Sequence, residues 1–157
     1  MSAAWVVALV ALPVHSLAAT WEIRPDCAPN TARCLAHPQK LTQWQGVAPG
    51  DEVVIYPSAD ETGWVSQLGA ATVLHIENAQ GRPEAPIVVR GMPGARLVQG
   101  ANITRSAHVV LRDLDISEQR RWADGTGRPA LTIQGGSHHV QLTASNLHHA
   151  TGSGVNV

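Results

Sequence analysis

The chain has 157 residues, a net charge of −1 and 15% charged residues, which fits one modest domain and gives no basic field for a nucleic-acid backbone. Nucleic acid is therefore not an expected partner. Phenylalanine is absent and tyrosine occurs once, so a core must be built from Val, Ile, Leu and Ala, a composition suited to β structure with tight turns.

The first stretch, MSAAWVVALVALPVHSLAAT, holds an apolar run from Ala3 to Leu12, a helix-breaking Pro13, and small residues at Ser16 and at Ala18 or Ala19. This pattern predicts a secretory signal peptide over residues 1–19, cleaved near Ala18 or Ala19 and too short to cross a bilayer as a helix. No Lys or Arg lies ahead of the apolar run, which departs from the usual signal, and a buried apolar segment is the alternative. Export predicts a secreted or periplasmic protein with no membrane span after cleavage.

Residues 20–46 are expected to form an N-terminal cap. Cys27 and Cys34, the only two cysteines, stand seven apart in DCAPNTARC, and an oxidising compartment favours one local disulfide between them. Zinc is the alternative, with His37 the one further ligand nearby. Leu41 and Trp44 are spaced for a short amphipathic helix or turn before Gly46. Pro49 to Asp51 is a turn that launches a strand from Glu52 to Tyr56.

From Val47 onward apolar pairs recur. Ile87 and Val89 align with Val109 and Leu111 at an offset of 22, and those with Val140 and Leu142 at an offset of 31. Leu114 and Ile116 map to Ser145 and Leu147, again at 31, and Leu131 and Ile133 map to Val155 and Val157 at 24. Three short strands per period, separated by Gly, Asn, Asp or Ser, predict a solenoid of stacked coils. An antiparallel sandwich is the alternative, although its strands run longer and join through hairpins.

GRPEAPIVVRGMPGARLVQGANITRSAHVVLRDLDIS, followed by LTIQGGSHHVQLTASNLHHATGSGVNV, resembles the opening coils of right-handed parallel β-helix proteins of the pectate-lyase-like superfamily, and PGDEVVIYP resembles their cap and first strand. The resemblance covers about residues 47–157. It implies an all-β right-handed parallel β-helix: a cap followed by the first few coils, incomplete at the C-terminus because nothing after Val157 covers the aliphatic stack. The implied function is binding, and cleavage or modification, of an extracellular acidic polysaccharide, by a lyase or glycoside hydrolase. The alternative is a non-catalytic adhesin or surface carbohydrate-binding module.

On such a lattice Arg90 and Arg112 are equivalent outward positions followed by Thr143, and in the resembled family that sheet lines a groove for anionic sugar chains. Guanidinium groups suit uronate carboxylates. Local pairing of Arg112 with Asp113, Asp115 or Glu77 is the competing reading. The interruption SEQRRWADGTGRP, from Ser117 to Pro129, carries Arg121 and Trp122, where an exposed indole flanked by cations is a sugar-stacking platform or else packs its own loop. Trp64 admits the same two readings. His108 and His139 fall one coil apart, about 4.8 Å, as a side-chain ladder; His138, His148 and His149 read as solvated corners. A metal pair or a catalytic base among these histidines is the sharper alternative, but no carboxylate or Cys recurs beside them, so no metal is assigned. No catalytic residue is identified. Lys40 is the only lysine and no acidic cluster of Ca2+ type occurs, so the catalytic coils, and any Ca2+ site, are expected beyond residue 157.

Overall fold

The computed structural model describes residues 17–41, 44–67 and 72–157. The expected signal peptide therefore lies outside the described residues up to position 16. The described residues form an all-β fold with thirteen short strands among them: β1 Thr20–Ile23, β2 Cys34–Leu35, β3 Glu52–Ile55, β4 Leu74–Glu77, β5 Ile87–Gly91, β6 Arg96–Leu97, β7 Ala101–Thr104, β8 Ala107–Arg112, β9 Asp115–Ser117, β10 Leu131–Gln134, β11 His138–Thr143, β12 Asn146–His148 and β13 Val155–Asn156.

The strands form three sheets whose ladders are all parallel. One has the order β11-β8-β5-β3-β1-β2, the second β13-β10-β7-β4, and the third β12-β9-β6. From β5 to β13 the chain visits the first, third and second sheet in rotation. Short strands parted by turn residues, with no hairpin between ladder neighbours, leave parallel pairing as the way to satisfy the backbone.

The register is the one that the apolar offsets predict. Ile87 pairs with Val109 and Val109 with Val140; Val89 pairs with Leu111 and Leu111 with Leu142. Ile116 sits opposite Leu147, and Leu131 lies between Ala101 and Val155. Each column puts aliphatic side chains about 4.8 Å apart down the inside of its sheet. Ile87, Val89, Ile103, Val109, Leu111, Ile116 and Leu131 are fully buried there. Each such side chain contributes about 1.5–3 kcal/mol by leaving water, and the buried Trp44 and Trp64 join the same core. Val140 and Leu142 continue the columns onto β11, but that strand is the sheet's edge, and Leu142 is 36% exposed.

The cap is closed by the Cys27–Cys34 disulfide, which stands where it was expected. A 3-10 turn runs over Pro38–Lys40 in the stretch where a short helix or turn was expected, and Leu41 and Trp44 are buried beyond it. His37 caps that turn. Its Nδ1 accepts from the Gln39 N–H at 3.1 Å while Nε2–H donates to the Val65 carbonyl at 2.9 Å, so both ring nitrogens are engaged by the protein and the zinc alternative for this histidine falls.

Burial, and secondarily the Lys40 charge, hold the His37 imidazole below its ordinary value, against the opposing pull of the Val65 carbonyl. The unfolded chain therefore takes up the proton first. Stability is complete above about pH 6.5 and is lost as pH falls from there through the lower folded value. Thermal melts from about pH 7.5 to about pH 5 should show Tm falling, and His37→Gln, which carries no titrating group, should flatten that slope.

Candidate functional site

The sequence singles out Arg90 and Arg112 as one outward column, and they are register partners on β5 and β8. Both are already occupied. Glu52, on β3, accepts from Arg90 Nε at 2.8 Å and from an Arg112 terminal nitrogen at 3.0 Å, through the same Oε1. Arg112 also approaches Asp113 at 3.7 Å, one of the local partners considered for it, whereas Glu77 pairs with Arg105. The hydrogen bond from Arg90, followed by the charges of both guanidinium groups, holds the Glu52 carboxyl below the usual carboxylate range.

The loop between β9 and β10 folds back on itself. Arg121 and Gly127 form an antiparallel bridge, the Trp122 N–H donates to the Thr126 carbonyl, and Arg121 donates to the Gly125 carbonyl at 3.0 Å. Trp122 is 49% exposed, with Arg128 set 4.2 Å from its ring centroid, so one face of the indole is covered by a cation from its own loop. Trp64 is buried, and its indole N–H donates to the Tyr56 carbonyl at 2.7 Å: packing, not display.

A cleft of about 510 Å3 opens where the turn after β5 meets the corner between β8 and β9, lined by Arg90, Arg96, Asp113, Asp115 and Asn146 among others. Gly91 makes this corner tight. A Cβ there would lie 2.3 Å from the Asp113 carbonyl oxygen, so no side chain fits between the two backbones. Beside the cleft, Asp115 on β9 is shared by two cations or donors: Arg96 Nε approaches one oxygen at 3.9 Å, and His148 Nε2 on β12 meets the other in a close contact.

This arrangement has chemical content. A carboxylate on Nε2 fixes the imidazole with its proton on that nitrogen and leaves the His148 Nδ1 lone pair as the basic site, which faces His149 Nδ1. Arg96, about half exposed, stands on the other side of the same carboxylate as a ready anion partner. The grouping combines an oriented base with a cation at the rim of a cleft.

Sequence reasoning took His148 for a solvated corner and missed Arg96. The signal was present: the offset of 31 that aligns Ile116 with Leu147 also pairs Asp115 with Asn146 and Ser117 with His148, leaving Asp115 and His148 diagonal neighbours. His108 and His139 do form a ladder, their rings stacked 4.4 Å apart.

No protein-family model, curated protein or solved structure matches the chain.

Proposed function

We propose that the chain is an exported right-handed parallel β-helix of the pectate-lyase-like kind that binds an acidic extracellular polysaccharide and cleaves or modifies it. The rotation of the chain through three parallel sheets, in register at the apolar offsets, supports the winding. Among the described residues no helix is long and apolar enough to cross a membrane.

Export with cleavage after Ala18 is supported by the boundary of burial. Leu17 and Ala18 are exposed, whereas Ala19 is buried with its backbone nitrogen 2.7 Å from Asp51 Oδ1. A new α-ammonium at Ala19 would meet a carboxylate already in place.

The observation that carries the enzymatic reading is the Arg96–Asp115–His148 line beside the cleft. In a lyase reaction His148 Nδ1 takes the proton next to a uronate carboxylate once substrate displaces exposed His149, Arg96 lowers the cost of the charge that develops on that carboxylate, and the glycosidic C–O bond on the adjacent carbon breaks as the double bond forms, its leaving oxygen taking a proton from water. Arg121 and Trp122, at the surface of their loop, extend the sugar-contacting face. A specific observation favours the second reading, a non-catalytic binding module: Arg90 and Arg112 share the one carboxylate of Glu52, with Asp113 close to Arg112, which weakens them as carboxylate clamps.

The purified protein, offered alginate, pectate, dermatan and neutral glycans, should release ultraviolet-absorbing unsaturated ends from an acidic chain, and His148→Ala should slow that release by at least about 100-fold. New reducing ends without absorbance would make it a hydrolase. Retained glycan binding with no product would hand the lead to the binding module, and neither product nor binding would end the polysaccharide reading.

A further inference from the structure

We infer that His108, His138 and His139 form a binding site for a divalent transition metal of the Zn2+ class. Their nearest ring nitrogens all lie within 4.8 Å of one another. The His108 and His139 rings are stacked 12° from parallel, and His138 meets the His139 ring edge-on at 5.0 Å.

Adjacent residues in a strand normally point to opposite faces, which would separate His138 from His139. Here His139 and its neighbour His108 both adopt left-handed backbone conformations, with φ of 52° and 51°, while the pairs on either side, His138 with Ala107 and Val140 with Val109, hold the ladder together. The matched irregularity on two neighbouring strands breaks the alternation and lets three imidazoles converge. Matched left-handed pairs also occur at other corners, Asn78 with Arg105 and Asp113 with Ala144, so the conformation belongs to the coils and here happens to carry histidines.

His138 has its tautomer set for ligation. Nδ1–H donates to the Gly136 carbonyl at 3.2 Å, which leaves the Nε2 lone pair outward, as the outer hydrogen bond of a metal-bound imidazole does. The cleft of about 340 Å3 beside the stacked pair is lined by Pro83, Pro86, Val110 and Gln141 besides His108 and His139, with no charged side chain among its lining to compete for the imidazoles or repel a cation.

Imidazole sets of this kind select Zn2+, Cu2+ or Ni2+ over Ca2+ and Mg2+, which want oxygen ligands. With Zn–N bonds of about 2.0–2.1 Å, tetrahedral ligands stand about 3.3 Å apart, so the nitrogens must close by about 1.5 Å, within reach of side-chain rotation on an exposed surface. Three protein ligands leave a fourth position open toward the cleft for water or an anion. The site lies on the opposite half of the β8–β11 ladder from Asp115 and His148, and its occupancy does not depend on the polysaccharide reading.

Isothermal titration of the untagged full chain with ZnCl2 should show one ion per chain. Alanine at His108, His138 or His139 should each weaken binding by about 10- to 100-fold. His75→Ala, which removes an exposed imidazole on β4, should bind as the parent does, and CaCl2 should give no saturable heat. Imidazole NMR resonances of the three histidines should shift together on adding Zn2+. The inference is overturned if Zn2+ gives no saturable binding, if all three alanine variants bind as the parent does, or if binding is lost only on replacing His148 and His149.

Discussion

Glu118→Ala should destabilise the protein by about 3–5 kcal/mol, a large share of the total for a domain this size, because it strips the carboxylate from a buried charge cluster. Glu118 is fully buried at the end of β9, where the loop to β10 departs. Its Oε1 accepts from the Arg120 backbone N–H and from Arg120 Nε, each at 2.9 Å, its Oε2 accepts from an Arg120 terminal nitrogen at 2.6 Å, and Arg128 Nε stands 3.6 Å away. Arg128 is itself only 4% exposed. Burial and the Arg120 charge push its guanidinium below its ordinary value, and Glu118 is what pulls it back. Removing the carboxylate leaves the buried Arg128 cation facing the partly exposed Arg120 charge.

The cluster sits at a junction of the chain. The Glu118 backbone carbonyl accepts from the Thr151 N–H, and Gln99 bridges to Glu118 from the end of β6, so this residue joins three consecutive connections between sheets. Urea unfolding should show the midpoint falling sharply with the slope nearly unchanged. Glu118→Gln, which keeps the shape and half of the accepting capacity, should cost distinctly less, and Trp122 fluorescence should report the shift of the Arg128 guanidinium over its ring. Equal losses in the two variants would mean that shape, not charge, holds the loop.

This cluster also marks where the sequence stops being legible. Apolar alternation repeats because each buried column must be filled at every level, so Ile87, Val109 and Val140 announce one another at fixed offsets. Ion pairs carry no such repeat. Glu52 reaches Arg90 and Arg112 from 38 and 60 residues away, from a strand that joins the repeating series only through its pairing with β5, and nothing in the local pattern marks it as their shared partner. Arg128 reads as one more cation in a polar loop until the loop's fold buries it. His148 and Asp115 fall between these extremes: the offset that aligned the core brings them together, but only when the polar residues are followed on the same register as the apolar ones. The histidines on β8 and β11 were legible as a ladder, while His138 joins them through a backbone irregularity that periodicity cannot predict.

Asp51→Ala should cost about 3 kcal/mol, the second large loss, since three N–H donors would be left without their acceptor. Asp51 is 3% exposed and directly precedes β3, at the level of Ile87 in the first sheet, where the next turns of the column carry aliphatic side chains. Its Oδ1 accepts from the Ala19 N–H at 2.7 Å, and its Oδ2 accepts from the Ala48 N–H at 2.9 Å and the Trp21 indole N–H at 3.2 Å. One carboxylate thus pins the start of β1, the turn before β3 and the indole that overlies Gly46. Asp51→Asn keeps one acceptor oxygen but turns donors toward donors on the other side, so its loss should approach that of alanine. If cleavage follows Ala18, the Ala19 nitrogen is an ammonium, and its contact with Asp51, already charge-assisted on the carboxylate side, gains a charge on the donor as well. A chain beginning at Ala19 should then melt above one that retains Leu17 and Ala18, and the difference should vanish in the Asp51→Ala background. A difference that survived that substitution would place the gain elsewhere than in the Ala19–Asp51 contact.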